Sequence, residues 1–350
     1  MNSRSAEGGP LHLPASSPPH EPTKATAAVL LSNYGGPEGP ADCEPYLRNI
    51  FMDADLIPIP SLVRPLVARF AAKRRAPLLR HTYEAMGCYS PILEQTRAQA
   101  DALQQALGGG FRCYVGMRYF RPFIADACRE IAANGHEKII HLPLYPHECR
   151  STTGSSLKEA ARALKRIGWN GAQAEVRSFW ERPEYLDALE GSVREAVEGS
   201  PREAALLFAA HGLPKSVAKG DPYKSAVEAT ARAVSKKLGR ELRLSEEARE
   251  SAGAPAALAW QSKVGPMRWL EPSVESVIRA YAQGKVRHVI VVPLSFVSEH
   301  SETLYELDIL YRALSVNLGV GFTRVPTLQT HPGLIAALAE AVKRADGAER

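Results

Sequence analysis

Apolar and polar positions follow one recurring order along the chain. A short apolar run rich in β-branched residues meets a polar or glycine-bearing break, and an amphipathic stretch follows. The runs at 27–32, 112–117, 138–144, 174–179 and 204–210 predict strands. The stretches at 92–107, 122–134, 183–198 and 332–343 predict helices. Two further strand–helix units fall at about 257–283 and 286–314. Strands that alternate with helices imply parallel, doubly wound sheets. The expected fold is α/β, with two similar Rossmann-like lobes, 26–175 and 176–325, facing each other across a cleft. The segment 326–350 is expected to carry a helix that packs back on the first lobe. Residues 1–25, rich in Ser, Pro, Gly and Ala, read as a disordered tail.

One block concentrates ionisable groups. Val289 to Leu294 is a buried-strand pattern, Ser298-Glu299-His300-Ser301 is a polar turn, and Glu302 and Glu306 then lie four apart on a predicted helix. Ligands of open α/β sheets bind at the carboxyl ends of strands. Like charges at this spacing weaken a helix, so the face needs a cation or water. A solvated acidic face and a cation site both satisfy that need. A second apolar run, Leu206 to Ala210, leads directly into His211 and Gly212. Glycine there permits a sharp turn, and a neutral imidazole at a strand tip can hold a metal or take a proton near neutral pH. A structural histidine is the alternative.

Composition narrows the class. The 350 residues leave room for two domains, and the 45% apolar and 23% charged content is that of a globular protein. No run approaches the ~18 apolar residues of a membrane span. A net charge of +5 is too mild to point to nucleic acid and suits an anionic partner. The five cysteines, Cys43, Cys88, Cys113, Cys128 and Cys149, form no C-x-x-C pair, which fits free thiols in a reducing, cytoplasmic setting. Residues 56–75 are unusual: eight apolar residues broken by prolines, then Lys73-Arg74-Arg75. Core packing is one reading. The other is an exposed apolar lip edged with cations, for a flat amphiphile or a peripheral membrane contact.

The chain resembles the ferrochelatase family. The resemblance is carried by Ser32-Asn33-Tyr34-Gly35-Gly36-Pro37, Ser90-Pro91-Ile92, Gly116-Met117-Arg118-Tyr119 and Leu142 to Pro146. It continues through Ala210 to Pro214, Gly220 to Tyr223, Trp260 to Pro266 and His300 to Asp308, and spans about 27–340. Together they imply a chelatase-type fold and an enzyme that inserts ferrous iron into a porphyrin during haem synthesis. The resemblance makes His211 and Glu302 the metal-site and proton-accepting pair, with His300 orienting Glu302. It implies an acidic path through Glu306 and Asp308. Tyr34, Arg75, Ser90, Arg118, Tyr119 and Trp269 would contact the porphyrin. No cofactor is expected beyond the substrate Fe(2+), and no iron–sulfur cluster, because no cysteine follows Cys149. Tyr34 resembles a tyrosine of the members that use coproporphyrin, whereas the lip and the 260–270 and 300–308 stretches resemble those that use protoporphyrin. Protoporphyrin is the expectation. Coproporphyrin is the alternative substrate, and a non-catalytic tetrapyrrole-binding protein and a cobalt or nickel chelatase are rival functions.

Overall fold

The computed structural model describes residues 27–347, apart from 58 and 264. The tail expected over 1–25 therefore lies outside the described residues. Among the described residues, nine strands form two parallel sheets. The first holds β1 (Ala27–Asn33), β2 (Phe111–Met117), β3 (Lys138–Pro143) and β4 (Ala172–Glu175), in the order β2-β1-β3-β4. The second holds β5 (Ala205–His211), β6 (Leu242–Arg243), β7 (Ala256–Gln261), β8 (His288–Pro293) and β9 (Gly321–Arg324), in the order β6-β7-β5-β8-β9. Apart from the two-residue edge strand β6, the second sheet repeats the order of the first.

The equivalence extends to single hydrogen bonds. Leu144 N donates to Ser32 O at the end of β1, and Leu294 N donates to Ala209 O at the end of β5, both at 2.8 Å. Met117 N donates to Pro122 O as Trp260 N donates to Pro272 O. Tyr34 thus corresponds to His211. Counting on from Leu144 and Leu294, Tyr145 corresponds to Ser295 and Thr152 to Glu302.

Strand side chains alternate between faces, and both faces of each sheet are covered. This is why the strands read as continuous apolar runs. Val29 and Leu31 of β1 face the same apolar layer as Leu206 and Phe208 of β5 and Ile290 and Val292 of β8. Ala28 and Leu30 pack outward with Ile124, Ile131 and Leu164, and Leu207 and Ala209 pack outward with Val277, Ile278 and Leu307. The two lobes therefore meet through a shared apolar layer as well as across a cleft. Helix Pro332–Gly347 sits in that layer, against helices Ile92–Leu107 and Pro183–Glu198.

Three local expectations change. The strand expected over 174–179 ends at Glu175; Phe179 N bonds to Pro146 O instead of a neighbouring strand. The proline-broken stretch is a loop only to Val63, because Pro65 falls in the first turn of helix Arg64–Met86, where its missing N–H goes unneeded. That helix continues through Pro77. The acidic segment is a π-helix, Glu302–Tyr311, rather than an α-helix.

Leu338 is fully buried in the shared layer. Leu338→Ala should lower unfolding free energy by about 2–5 kcal/mol, the range for a buried leucine. Denaturant titration measures this, and a loss under about 1 kcal/mol would count against a shared layer.

Candidate functional site

The ends of β1, β3, β5 and β8 converge on a narrow cavity of about 30 Å³, lined by Tyr34, Tyr145, His147, Cys149, His211, Tyr223 and Glu302 among others. A water needs about 10–15 Å³ on this measure, so the space admits water or a metal ion but not a macrocycle.

His211 ends β5. Its Nδ1 lies 2.7 Å from Glu302 Oε2, an oxygen that can only accept when ionised, so Nδ1 carries a proton. That fixes the tautomer and leaves Nε2, when neutral, as the lone-pair nitrogen. His211 N donates to Ser295 Oγ, and Tyr223 Oη donates to the His211 carbonyl, so the strand tip is held from both sides. Burial disfavours charge on the imidazole, but Glu302 outweighs it and the His211 pKa is raised. Burial likewise works against the Glu302 carboxylate. His211, followed by His300 and Ser262, more than compensates, and its pKa is lowered.

The π-helix brings Glu306 beside Glu302. Ser262 Oγ stands 2.6 Å from Glu302 Oε2 and 2.8 Å from Glu306 Oε2. Gln261 Nε2 donates to the Glu302 carbonyl and reaches Glu306 Oε2 at 3.4 Å. Burial and the neighbouring Glu302 charge raise the Glu306 pKa to about 7.

The other acids near this helix are already paired. Arg324 bonds Glu299 Oε1 at 2.9 Å and Asp308 Oδ2 at 2.8 Å. Asp308, expected on an acidic path, is thus held by a guanidinium, and Arg312 approaches it as well. His300 Nε2 is 4.0 Å from Glu302 Oε1, beyond hydrogen-bond reach, so it does not orient Glu302 by a direct bond. Its ring packs on Phe296 at 4.3 Å, and burial lowers its pKa.

The expected porphyrin contacts divide. Tyr34 lies in the cavity, its ring 5.4 Å from Tyr145 and 5.5 Å from Tyr119. Burial, reinforced by Tyr145, Tyr119 and Glu302, keeps its phenol protonated. Arg118 and Tyr119, expected to contact the porphyrin, are turned inward to Asp53, at 2.9 and 2.7 Å. Ser155 joins them, and these donors outweigh the burial penalty to lower the Asp53 pKa. Arg118 lines a separate cavity of about 450 Å³. Trp269 lines another, of about 270 Å³, with Trp260 and Gly212 rather than His211. Ser90 packs so closely on Gly36 that a Cβ there would sit 2.3 Å from its hydroxyl. Arg75 is exposed on the lip helix.

The lip itself is open to solvent: Leu62, just before the lip helix, and Leu66 and Phe70, one turn apart on it, are 92%, 74% and 71% exposed. Among the described residues no helix is long and apolar enough to cross a membrane.

Several residues of the site and its surroundings went unrecognised in the sequence. Tyr145, Tyr223 and Ser262 sit inside the quoted motifs, which is the signal that could have found them. Asp53 carries no local signal; only the fold brings it to Arg118. His147 is buried, and its tautomer follows from Thr230. The Thr230 hydroxyl donates to Ala226 O, so it must accept from His147 Nε2–H. Cys149 faces the cavity, but burial raises its thiol to about 11, so it is not a thiolate at neutral pH.

A family model described as ferrochelatase matches residues 26–346. The ferrochelatase of Geobacter metallireducens is 41% identical over 323 residues, covering 91% of this chain and 98% of that protein. The ferrochelatase of Aquifex aeolicus is 42% identical over 318 residues, covering 90% and 98%. Among solved structures, SirB from Bacillus subtilis with Fe3+ aligns with a TM-score of 0.56 at 11% identity, covering 93% of this chain and 97% of that one. The sirohydrochlorin chelatase SirB from Bacillus subtilis subspecies spizizenii, in complex with cobalt, gives 0.55 at 12% identity with the same coverage. At those identities the likeness is one of fold.

Glu306 is faced by Glu302 and Tyr311 of its own helix, by His211 from β5 and by Ser262 after β7. Its raised pKa means that the folded chain binds a proton the unfolded chain lacks, between about 4.5 and 7. Stability therefore falls as pH rises through that window, since ∂ΔG/∂pH follows protons bound unfolded minus folded. Relative to Glu306→Gln, the unsubstituted protein should be less stable at pH 8 than at pH 5. Denaturant unfolding of both proteins at the two pH values measures the difference, and a pH-independent difference would refute the shift.

Proposed function

The chain belongs to the ferrochelatase family, enzymes that insert Fe(2+) into a porphyrin for haem synthesis, and within that reaction we propose that His211 and Glu302 form the insertion centre and that protoporphyrin is the ring. The observation that carries this is the 2.7 Å contact between His211 Nδ1, at the tip of β5, and Glu302, at the start of the π-helix that follows β8.

Insertion needs a partly desolvated ferrous ion and acceptors for two pyrrole protons. Imidazole nitrogen and carboxylate oxygen serve both needs. His211 Nε2 and the outer oxygen of Glu302 are the groups that would meet metal or pyrrole proton. Among the described residues no three His, Cys, Asp or Glu side chains gather into a metal-holding group. Two donors suit an ion that must be passed on, because the ring nitrogens supply the remaining ligands. The neutral thiol of Cys149 and neutral imidazole of His147 keep the opposite wall without fixed charge. Since the cavity is too small for a macrocycle, its walls must part to admit one.

Two features support protoporphyrin. The exposed apolar lip suits a ring with two carboxylates better than one with four, because burying an unpaired carboxylate is costly. Tyr34 is held as a neutral phenol, a weaker iron ligand than phenolate. With Arg118 engaged by Asp53, the cations left at the mouth are those of the lip, Arg69, Arg74 and Arg75 among them. The same lip supports a peripheral membrane contact, since Leu66 and Phe70 on the helix, with Leu62 just before it, are exposed and flanked by cations. We extend the proposal to catalysis without an iron–sulfur cluster, supported by the wide spacing of the five cysteines.

His211→Ala should lower turnover by about 10²–10⁴-fold with the fold intact, the range for a lost proton acceptor. Anaerobic porphyrin absorbance follows turnover; retention of about a tenth or more would remove His211 from the centre. In a competition between protoporphyrin and coproporphyrin at equal concentration, protoporphyrin should have the higher kcat/KM. A preference above about tenfold for coproporphyrin, roughly 1.4 kcal/mol, would reverse the substrate assignment.

A further inference from the structure

The shared apolar layer brings the two lobes together, but apolar burial is non-directional and by itself sets no fine register between them. A polar contact crosses the same divide. Gln99, on helix Ile92–Leu107 of the first lobe, is fully buried, and its amide reaches across to segments that follow β8 and β9. Its Nε2 donates to Val297 O at 3.2 Å and to Gln329 O at 3.0 Å, and its Oε1 accepts from Ser298 Oγ at 3.2 Å. Two carbonyls on one side demand the NH2 group there, so the amide sits only one way round. One turn earlier on the helix, Gln95 Oε1 accepts from Glu299 N at 2.7 Å. The turn Val297 to Glu299 is thereby tied to the first lobe, just before Glu302. Its far side is held as well: Gln329 N donates to Val297 O at 2.8 Å, and Glu299 Oε1 takes Thr327 N at 3.0 Å and Arg324 at 2.9 Å.

The same helix reaches the other wall of the cavity. Thr96, also fully buried, gives its hydrogen to Ile92 O at 2.7 Å and so accepts from Asn33 Nδ2 at 3.3 Å. Asn33 Oδ1 in turn accepts from Tyr34 N at 2.9 Å. Gln95, Thr96 and Gln99 fall within one stripe of about 100° on the helix. That stripe touches both the tip of β1, which carries Tyr34, and the turn that delivers Glu302. The three side chains stand behind the two walls rather than in the cavity.

We propose that Gln99, with Gln95, is a positioning residue: a clasp between the lobes that sets the spacing of the two walls of the insertion centre. The proposal rests on the His211–Glu302 centre assigned above and adds what holds Glu302 in place. The walls must part to admit a ring, and the clasp fixes the spacing to which they return. Misplacing a reacting group by about 1 Å costs on the order of 10²-fold in rate, so slight slack in this turn lowers turnover. Porphyrin affinity, spread over a wider surface, is spared.

Gln99→Leu keeps the bulk and removes the amide. Its kcat per porphyrin-binding site, with sites counted by titration with protoporphyrin, should fall by about tenfold or more. Porphyrin Kd should stay within about twofold, the pattern of lost positioning rather than lost binding. A merely structural role would lower binding sites and activity together and leave kcat per site unchanged. Gln95→Leu removes the acceptor for Glu299 N and should lower kcat per site by about threefold or more, whereas Gln95→Glu keeps an oxygen there and should stay within about twofold. This second pair carries the test should Gln99→Leu not fold. Unchanged kcat per site in either folded leucine variant overturns the clasp. So does a matching loss of porphyrin affinity, or an equal loss in Gln95→Leu and Gln95→Glu. Glu302→Gln is assayed alongside. If it is inactive while the leucine variants are fully active, only the clasp fails. If Glu302→Gln is itself active, the insertion centre fails and the clasp with it.

Discussion

Two parallel sheets bury one apolar layer between them, and this constraint decides where chemistry can occur. Val29, Leu31, Leu206, Phe208, Ile290 and Val292 all point into it, so neither sheet can turn without exposing its neighbour's face. The strands' carboxyl ends are thereby fixed toward a common gap. Tyr34 and His211 stand at matching tips, and Glu302 follows β8 on a helix wound wider than α. Because helix Pro332–Gly347 is wedged in the same layer, the gap is set by packing remote from it. A site of this kind is as precise as its scaffold is dense.

Charge is sorted within that scaffold. Ionisable groups crowd the end of β5 and the segment that follows β8, but arginine removes some from play. Arg324 engages Glu299 and Asp308. Of those left, His211 and Glu302 are in contact and Glu306 lies beside Glu302, while His300 is packed on Phe296. The pair His211–Glu302 favours charge, and Glu306 favours neutrality. Groups whose environments push their proton affinities apart are those to which acid and base roles fall.

The α/β alternation and the parallel sheets were legible because buried parallel strands read as unbroken apolar runs, and His211 and Glu302 because each follows such a run. Less legible was everything set by partners distant in sequence. Asp308 looked like Glu306 in the sequence; only β9 supplies the Arg324 that separates them. Arg118 and Tyr119 looked like porphyrin contacts because no local pattern announces Asp53, 65 residues upstream of Arg118. The lip's second half read as loop because Pro65 suggests a break, although it falls in an opening turn where it fits. The π-winding of Glu302–Tyr311 has no signature in apolar spacing, since residues four apart stay neighbours in either helix. Ser262 lay in a quoted motif, but only the fold brings its hydroxyl between Glu302 and Glu306.

The repeated strand order has a consequence for how such a site can change. Tyr34 and His211, Tyr145 and Ser295, Thr152 and Glu302 occupy equivalent places in the two halves, and all six line one cavity. Two identical copies of one half, paired face to face, would have to present the same residue on both walls, so any substitution would appear twice. Joining the halves in one chain lifts that symmetry. A phenol can be kept on one wall and an imidazole placed on the other, and each wall can then drift without disturbing its counterpart.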